Sequence, residues 1–383
     1  MGRRIAIVLT TRGNYAKMKS TMRAVVERDD LELITIVGGG IIQARFGDYR
    51  PVIERDGFKI DETVDFLEGD GATLDSQTLS AGRAVTMIGE ALGRLLPDLV
   101  LVIADRWEAL SVAFAATTMN IPIAHLEGGE VSGSIDERLR HAITKLAHQH
   151  LPANPEAARR LERMGEPTAR IAIVGTPSLD LLSNIDLGDR SVLGEALYVQ
   201  GDRIDFGSDY AVVSQHPVVT EEDQAEAQII ETARGAARAG LPIAWMLPNM
   251  DAGGAGVMMA VTRLVNGGLG VPVRFYASME FSRYSVLLAN ARVLIGNSSS
   301  GIRECAFLGT PVVNIGTRQN GRDRGRNVVD VSYDRHAIAD AVVRQVAHGP
   351  YRSDPLYGDG TSGSKIANAL ATMPLALDKA IFE

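Results

Sequence analysis

The sequence predicts an α/β protein made of two Rossmann-like domains facing a cleft. Three observations predict it. Short apolar runs of strand length alternate with longer amphipathic stretches, which is the pattern of parallel sheets covered by helices. The same rhythm restarts in the second half of the chain after a break. The length, 383 residues, is about twice that of an ordinary domain.

In the first half, RIAIVL (4–9), LELITIV (31–37), DLVLVI (98–103) and RIAIV (170–174) are the expected strands. Each is a near-continuous apolar run, as strands buried on both faces require. Residues 77–95 and 107–118 are amphipathic and predict helices. The stretch 175–209 mixes glycine and charge without strand pattern, so the expected domains are 1–180 and 181–363. In the second half, YAVVS (210–214), PIAWM (242–246), VPVRFY (271–276), RVLIG (292–296) and PVVNI (311–315) are strands, with helices at 221–239 and 335–347. Residues 364–383 read as a last helix that packs back on the first domain.

Composition narrows the function classes. Hydrophobic residues make up 45% of the chain, ample for two cores. The net charge of −8 and the absence of a long basic run disfavour nucleic acid and anionic membranes as partners. Cys305 is the single cysteine, so no intrachain disulfide forms and a cysteine-based metal site is not expected. No apolar run reaches the roughly 18 residues of a membrane span. The chain begins Met-Gly-Arg-Arg and enters a strand directly, without a signal peptide, so the expected location is cytoplasmic.

In doubly wound sheets ligands bind beyond the carboxyl ends of the strands, so residues there are read first. Arg12 follows the first strand, where a turn entering a helix makes an anion site; a surface arginine explains it equally. Asp105 and Arg106 follow DLVLVI as a base and a phosphate clamp, or as a helix N-cap and a solvated charge. The loop from His125 to Glu137 holds Glu127, Glu130, Asp136 and three glycines, a crowding of carboxylates suited to acid–base work. Asp136 serves there, or caps a helix running to residue 150. His141, His148 and His150 are read as packing or hydrogen-bonding residues on that helix. His216 follows a strong strand. Gly296-Asn297-Ser298-Ser299-Ser300-Gly301 offers donors for a diphosphate, with Glu304 one turn on for ribose hydroxyls; a serine N-cap with Glu304 as its capping-box partner is the alternative. P-loop and G-x-G-x-x-G signatures are absent.

The stretches HLEGGEVSGSIDERLRHAITKLAH (125–148), QHPV (215–218), PNMDAGG (248–254) and GNSSSGIRECAFLGTPVVNIGTRQNGR (296–322) resemble the hydrolysing UDP-N-acetylglucosamine 2-epimerases, from TTRGNY to YGDG. The resemblance implies a glycosyltransferase-B-type fold with UDP held mainly by the second domain. It implies that Ser298, Ser299, Glu304 and Arg318 bind UDP, helped by Arg12, Arg106 and Asn249. It places Asp105, Glu127, Asp136 and His216 at the reacting centre and calls for no metal and no bound cofactor. The implied reaction turns UDP-N-acetylglucosamine and water into N-acetylmannosamine and UDP through a glycal-like intermediate. Gly40 and Ile103 stand where the animal enzyme has histidines, and Ala16 replaces a serine near the nucleotide. These departures keep a UDP-2,4-diacetamido-trideoxy-hexose open as substrate. A non-hydrolysing epimerase and a catalytically silent sugar-nucleotide-binding protein also remain open. A homo-oligomer, dimer or tetramer, is the expected assembly.

Overall fold

The computed structural model describes residues 2–69, 74–132, 135–194, 196, 200–247, 263, 268–277 and 279–379. The chain divides into two compact units, Met1–Leu181 with Gly358–Glu383, and Leu182–Tyr357. Each carries its own sheet and its own core.

The sheet of the first unit contains β1 (Arg3–Leu9), β2 (Leu31–Gly38), β3 (Glu62–Val64), β4 (Leu99–Ile103), β5 (Ile123–Leu126) and β6 (Gln149–Leu151). Its order is β3-β2-β1-β4-β5-β6, and every pair is parallel. Both faces are buried because side chains alternate along each strand. Ile5, Ile7 and Leu9 pack on one face with Met18, Met22 and Val25, while Ala6 and Val8 pack on the other with Ile88, Leu92 and Val112.

The helix Arg12–Val26 buries Tyr15, Met18, Met22 and Val25, a spacing of three and four that makes one apolar stripe. The helix Ser362–Thr372 lies against it through Ile366, Ala367 and Leu370. Its first amides are satisfied by a carboxylate far away in sequence: Asp180 accepts from Ser362 N at 2.9 Å and Gly363 N at 2.6 Å. The helix expected over 364–383 ends at Thr372, and the described tail beyond it is tied down by Lys379, which meets the buried Glu166 at 2.7 Å, and by Gln149, which donates to the Pro374 carbonyl at 3.2 Å.

The second unit contains β7 (Gln200–Gly201), β8 (Ala211–Ser214), β9 (Ile243–Met246), β10 (Val273–Tyr276), β11 (Val293–Gly296), β12 (Val312–Ile315) and β13 (Val328–Val331). The order is β13-β12-β11-β8-β9-β10-β7, parallel except for β7, which pairs antiparallel at the edge. Trp245 and Phe275 fill one face with Ile229, Ile338 and Val342, and Tyr210 and Tyr276 fill the other. No helix among the described residues is long and apolar enough to cross a membrane.

Three expectations need correction. RIAIV (170–174) is not a strand: it makes one isolated bridge, Ile171 to His150, and Ile173 is 49% exposed. The edge of the sheet is taken by β6, which overlaps the end of the span expected as helix to residue 150. That helix stops at Leu146 because His148 is bound to β5 twice, its amide donating to the Ile123 carbonyl at 2.9 Å and its Nδ1 accepting from Ile123 N at 3.2 Å. The strands β3, β6 and β7, of two or three residues, are too short to leave a periodic trace, and β13 (VVDV) is only partly buried and carries Asp330 within it.

Candidate active site

In the first unit β1, β4 and β5 are neighbours, so their carboxyl ends bring Arg12, Asp105, Arg106 and Glu127 to one edge of the sheet. Arg12 opens its helix and is exposed, after Thr11, which caps the helix by accepting from Asn14 N at 3.1 Å. Asp105 is not an N-cap. The helix Trp107–Thr118 begins behind Arg106, whose side chain caps nothing and instead grips the buried Glu108 at 3.0 Å. Arg106 also feels the charges of Asp136 and Asp105. Asp136 stands inside the first turn of Ile135–Leu146.

Two backbone outliers mark this edge. Ala104, just before Asp105, has φ of +61°, and Glu127 has φ of +62°. Non-glycine residues avoid this region, and such strain concentrates where side chains must be aimed. Each is held by the neighbouring strand, Ala104 N donating to the Leu126 carbonyl and Glu127 N to the Leu151 carbonyl, both at 3.1 Å. His125, fully buried, adds a bond from Nε2 to the Ala104 carbonyl at 2.9 Å, while its Nδ1 lies 3.3 Å from the Thr144 hydroxyl.

The carboxylates have partners that the sequence reading missed. Glu127, with a side chain 3% exposed, meets Lys17 at 3.0 Å and accepts from the Thr176 hydroxyl at 2.6 Å. Asp105 is paired with Arg140, whose side chain is 3% exposed. Arg140 also donates to the Glu130 carbonyl at 2.6 Å and to the Ser132 hydroxyl at 3.2 Å, tying the loop after β5 to the end of β4. The signal for Arg140 was its place four residues after Asp136, on the same helix face. Gly129, with φ of +78°, shows why this loop is glycine-rich, since a Cβ there would strike the Ala157 carbonyl.

In the second unit β12, β11 and β8 are adjacent, and their ends bring together His216, Asn297, Ser298 and Arg318. Gly296, with φ of +130°, lets β11 approach β8 where a Cβ would strike the Ser214 carbonyl. Ser298 caps the short helix Ser299–Ile302. Glu304 is not its capping-box partner, because Arg303 breaks the chain into a second helix, Glu304–Leu308. The hydroxyl of the partly buried Tyr284 bonds Ser298 and Ser300 and lies near Glu304; desolvation pushes its pKa up to about 12. Asn249 lies outside the described residues. Among the described residues no cluster of His, Cys, Asp or Glu is arranged to hold a metal ion.

Burial lowers the pKa of His125 and of His216 from the ordinary 6.5 to about 4, with Arg318 adding to the effect at His216. Both are therefore neutral in the folded protein near pH 7. A folded value below the unfolded one means that the unfolded chain binds more protons, so stability falls with pH between about 6.5 and 4, by on the order of 3 kcal/mol per histidine. Burial raises the pKa of Glu166, but hydrogen bonds from His150, Lys145 and Lys379 outweigh it and hold the carboxyl near 2, so the loss continues at lower pH. Urea midpoints measured from pH 7 to pH 4 should show this decline, and His125→Asn should flatten it; an unchanged slope would remove His125 as a source.

This arrangement defines a class: a double-sheet α/β protein of glycosyltransferase-B type, with carboxylates at the strand ends of one sheet and serine and arginine donors at those of the other. Residues 23–371 match the family described as UDP-N-acetylglucosamine 2-epimerase. The chain belongs to that family. It is 32% identical over 375 residues to UDP-N,N'-diacetylbacillosamine 2-epimerase (hydrolyzing) of Legionella pneumophila, covering 98% of this chain and 97% of that one. It is 29% identical to UDP-N-acetylglucosamine 2-epimerase of Neisseria meningitidis serogroup B, over 96% of this chain and 95% of that protein. The solved structure of UDP-GlcNAc 2-epimerase from Neisseria meningitidis bound to UDP-GlcNAc has the same fold, with a TM-score of 0.76 at 14% identity over 96% of this chain and 99% of that one.

Proposed function

We propose that this UDP-sugar 2-epimerase is hydrolysing, converting UDP-N-acetylglucosamine and water to N-acetylmannosamine and UDP. The observation that carries the reading is the pair of carboxylates, Asp105 and Glu127, just past the ends of adjacent strands at strained backbone. A carboxylate takes the C2 proton as the C1–O bond to UDP breaks, leaving a glycal-like alkene. Water then adds at C1, and a proton returns to C2 on the other face. Negative charge grows on the departing diphosphate, where Ser298, Ser299, Arg318 and Arg12 supply donors, with Arg106 and Asn249 assisting and Glu304 on the ribose. Asp136 and neutral His216 complete the acid–base set.

A second reading keeps the chemistry and changes the sugar. The 32% match to a hydrolysing diacetylbacillosamine epimerase favours a UDP-2,4-diacetamido-trideoxy-hexose. Incubating the protein with each UDP-sugar in D2O, followed by NMR, separates these outcomes. Free UDP and a C2-deuterated 2-epimer of one sugar are expected, and the faster substrate names the sugar. Intact deuterated UDP-sugar would make the enzyme non-hydrolysing, and tight UDP binding without turnover would make it a binding protein.

A further inference from the structure

We propose that Asn297 is the positioning residue for His216, clasping its backbone so that the imidazole is presented to the sugar at a fixed angle. The inference rests on the reading of His216 as a group at the reacting centre. Asn297 is fully buried at the end of β11, and its side-chain amide closes on both sides of one residue of the neighbouring strand end. Oδ1 accepts from His216 N at 2.7 Å, and Nδ2 donates to the His216 carbonyl at 2.9 Å. Both backbone groups of a strand-end residue that has left the sheet are thereby satisfied without water. Pro217 limits the same residue from the other side, since a residue before proline is confined to extended conformations.

The main chain of Asn297 does a separate job. Its amide donates to the Ser214 carbonyl at 3.1 Å, and its carbonyl accepts from Arg318 Nη1 at 3.0 Å and Gln319 Nε2 at 2.8 Å. The side chain therefore serves His216, while the backbone gathers the Arg318 loop. A side-chain substitution removes the first and keeps the second. This separation makes the inference testable, because the diphosphate-binding loops survive the change that frees His216. The Tyr333 hydroxyl also lies within hydrogen-bond reach of the Asn297 amide and needs its own control.

The test compares wild type, Asn297→Ala, Asn297→Asp, Tyr333→Phe, His216→Ala and the double variant Asn297→Ala/His216→Ala. Asn297→Ala should lower kcat by about 10²-fold, in the range of a displaced acid–base group, with UDP affinity by calorimetry changed by less than about threefold. Asn297→Asp keeps the acceptor for His216 N but turns a carboxylate oxygen onto the His216 carbonyl in a buried site, so it should also lower kcat, and it serves if Asn297→Ala does not fold. Tyr333→Phe should stay near wild type. In the His216→Ala background the Asn297 change should add almost nothing to kcat, because its effect runs through the imidazole. Additive losses, or a fall in UDP affinity that tracks kcat, would overturn the proposal. Absence of turnover in the wild type would instead sink the reading of the reaction. The His216 ring signals in NMR spectra would then still judge the clasp, shifting in Asn297→Ala if it exists and staying put if it does not.

Discussion

Glu127→Gln should lower turnover of the UDP-sugar by about 10²–10⁴-fold while UDP affinity stays within about threefold. The substitution is isosteric, so it removes one negative charge and little else. The amide oxygen still accepts from Thr176, and Lys17, 32% exposed at its side chain, finds water in place of the lost ion pair. The strained φ of +62° is set by the strand partner and not by the carboxylate, so the aim of the side chain persists. What disappears is the base, or acid, that the proposed reaction needs beside C2. Steady-state rates with calorimetric UDP titrations decide it: a normal rate removes Glu127 from the reaction, and an equal loss of affinity makes it a binding residue. Asp105→Asn and Asp136→Asn should behave in the same way, and their relative losses rank the carboxylates by role.

Arg140→Met should cost about 3 kcal/mol of folding stability and at least about 10²-fold in turnover. A buried guanidinium that satisfies three groups leaves all three short when it is removed. Asp105 loses its counter-charge with a side chain only 20% exposed, and the Glu130 carbonyl loses a donor at 2.6 Å. The apolar replacement fills much of the volume, so the loss measures pairing more than packing. Arg140→Lys keeps the charge but reaches fewer of the three acceptors, because a lysine lacks the fixed fork; it should recover part of both stability and rate. Urea unfolding monitored with kinetics provides the check. A stable, fully active Arg140→Met would mean that Asp105 needs no counter-charge.

Much of the fold was legible because it is written in local pattern. RIAIVL, DLVLVI, YAVVS and RVLIG are strands in the structure for the reason the sequence suggests: a segment buried on both faces must be apolar throughout. RIAIV (170–174) has the same composition yet makes one bridge, because its neighbour β6 is three residues long and offers little edge to pair with. The positions of Asp105, Glu127, His216 and Ser298 at strand ends followed from the same local pattern, since a polar residue directly after an apolar run stands at the end of its strand.

Local pattern along the chain is enough for two parallel-sheet units, for the strand ends where the candidate residues stand, and for family motifs long enough to be specific. Tertiary structure alone decided which partner each of those side chains meets. Glu127 pairs with Lys17 110 residues away and Thr176 49 away, Asp105 with Arg140 35 away, and His216 with Asn297 81 away. Periodicity records which face of an element is buried, and motif spacing records what is near along the chain. Neither records which strand becomes the neighbour. Sheet order does, by setting β4 beside β5 and β11 beside β8, and only then do the charges and amides at their ends come within bonding distance.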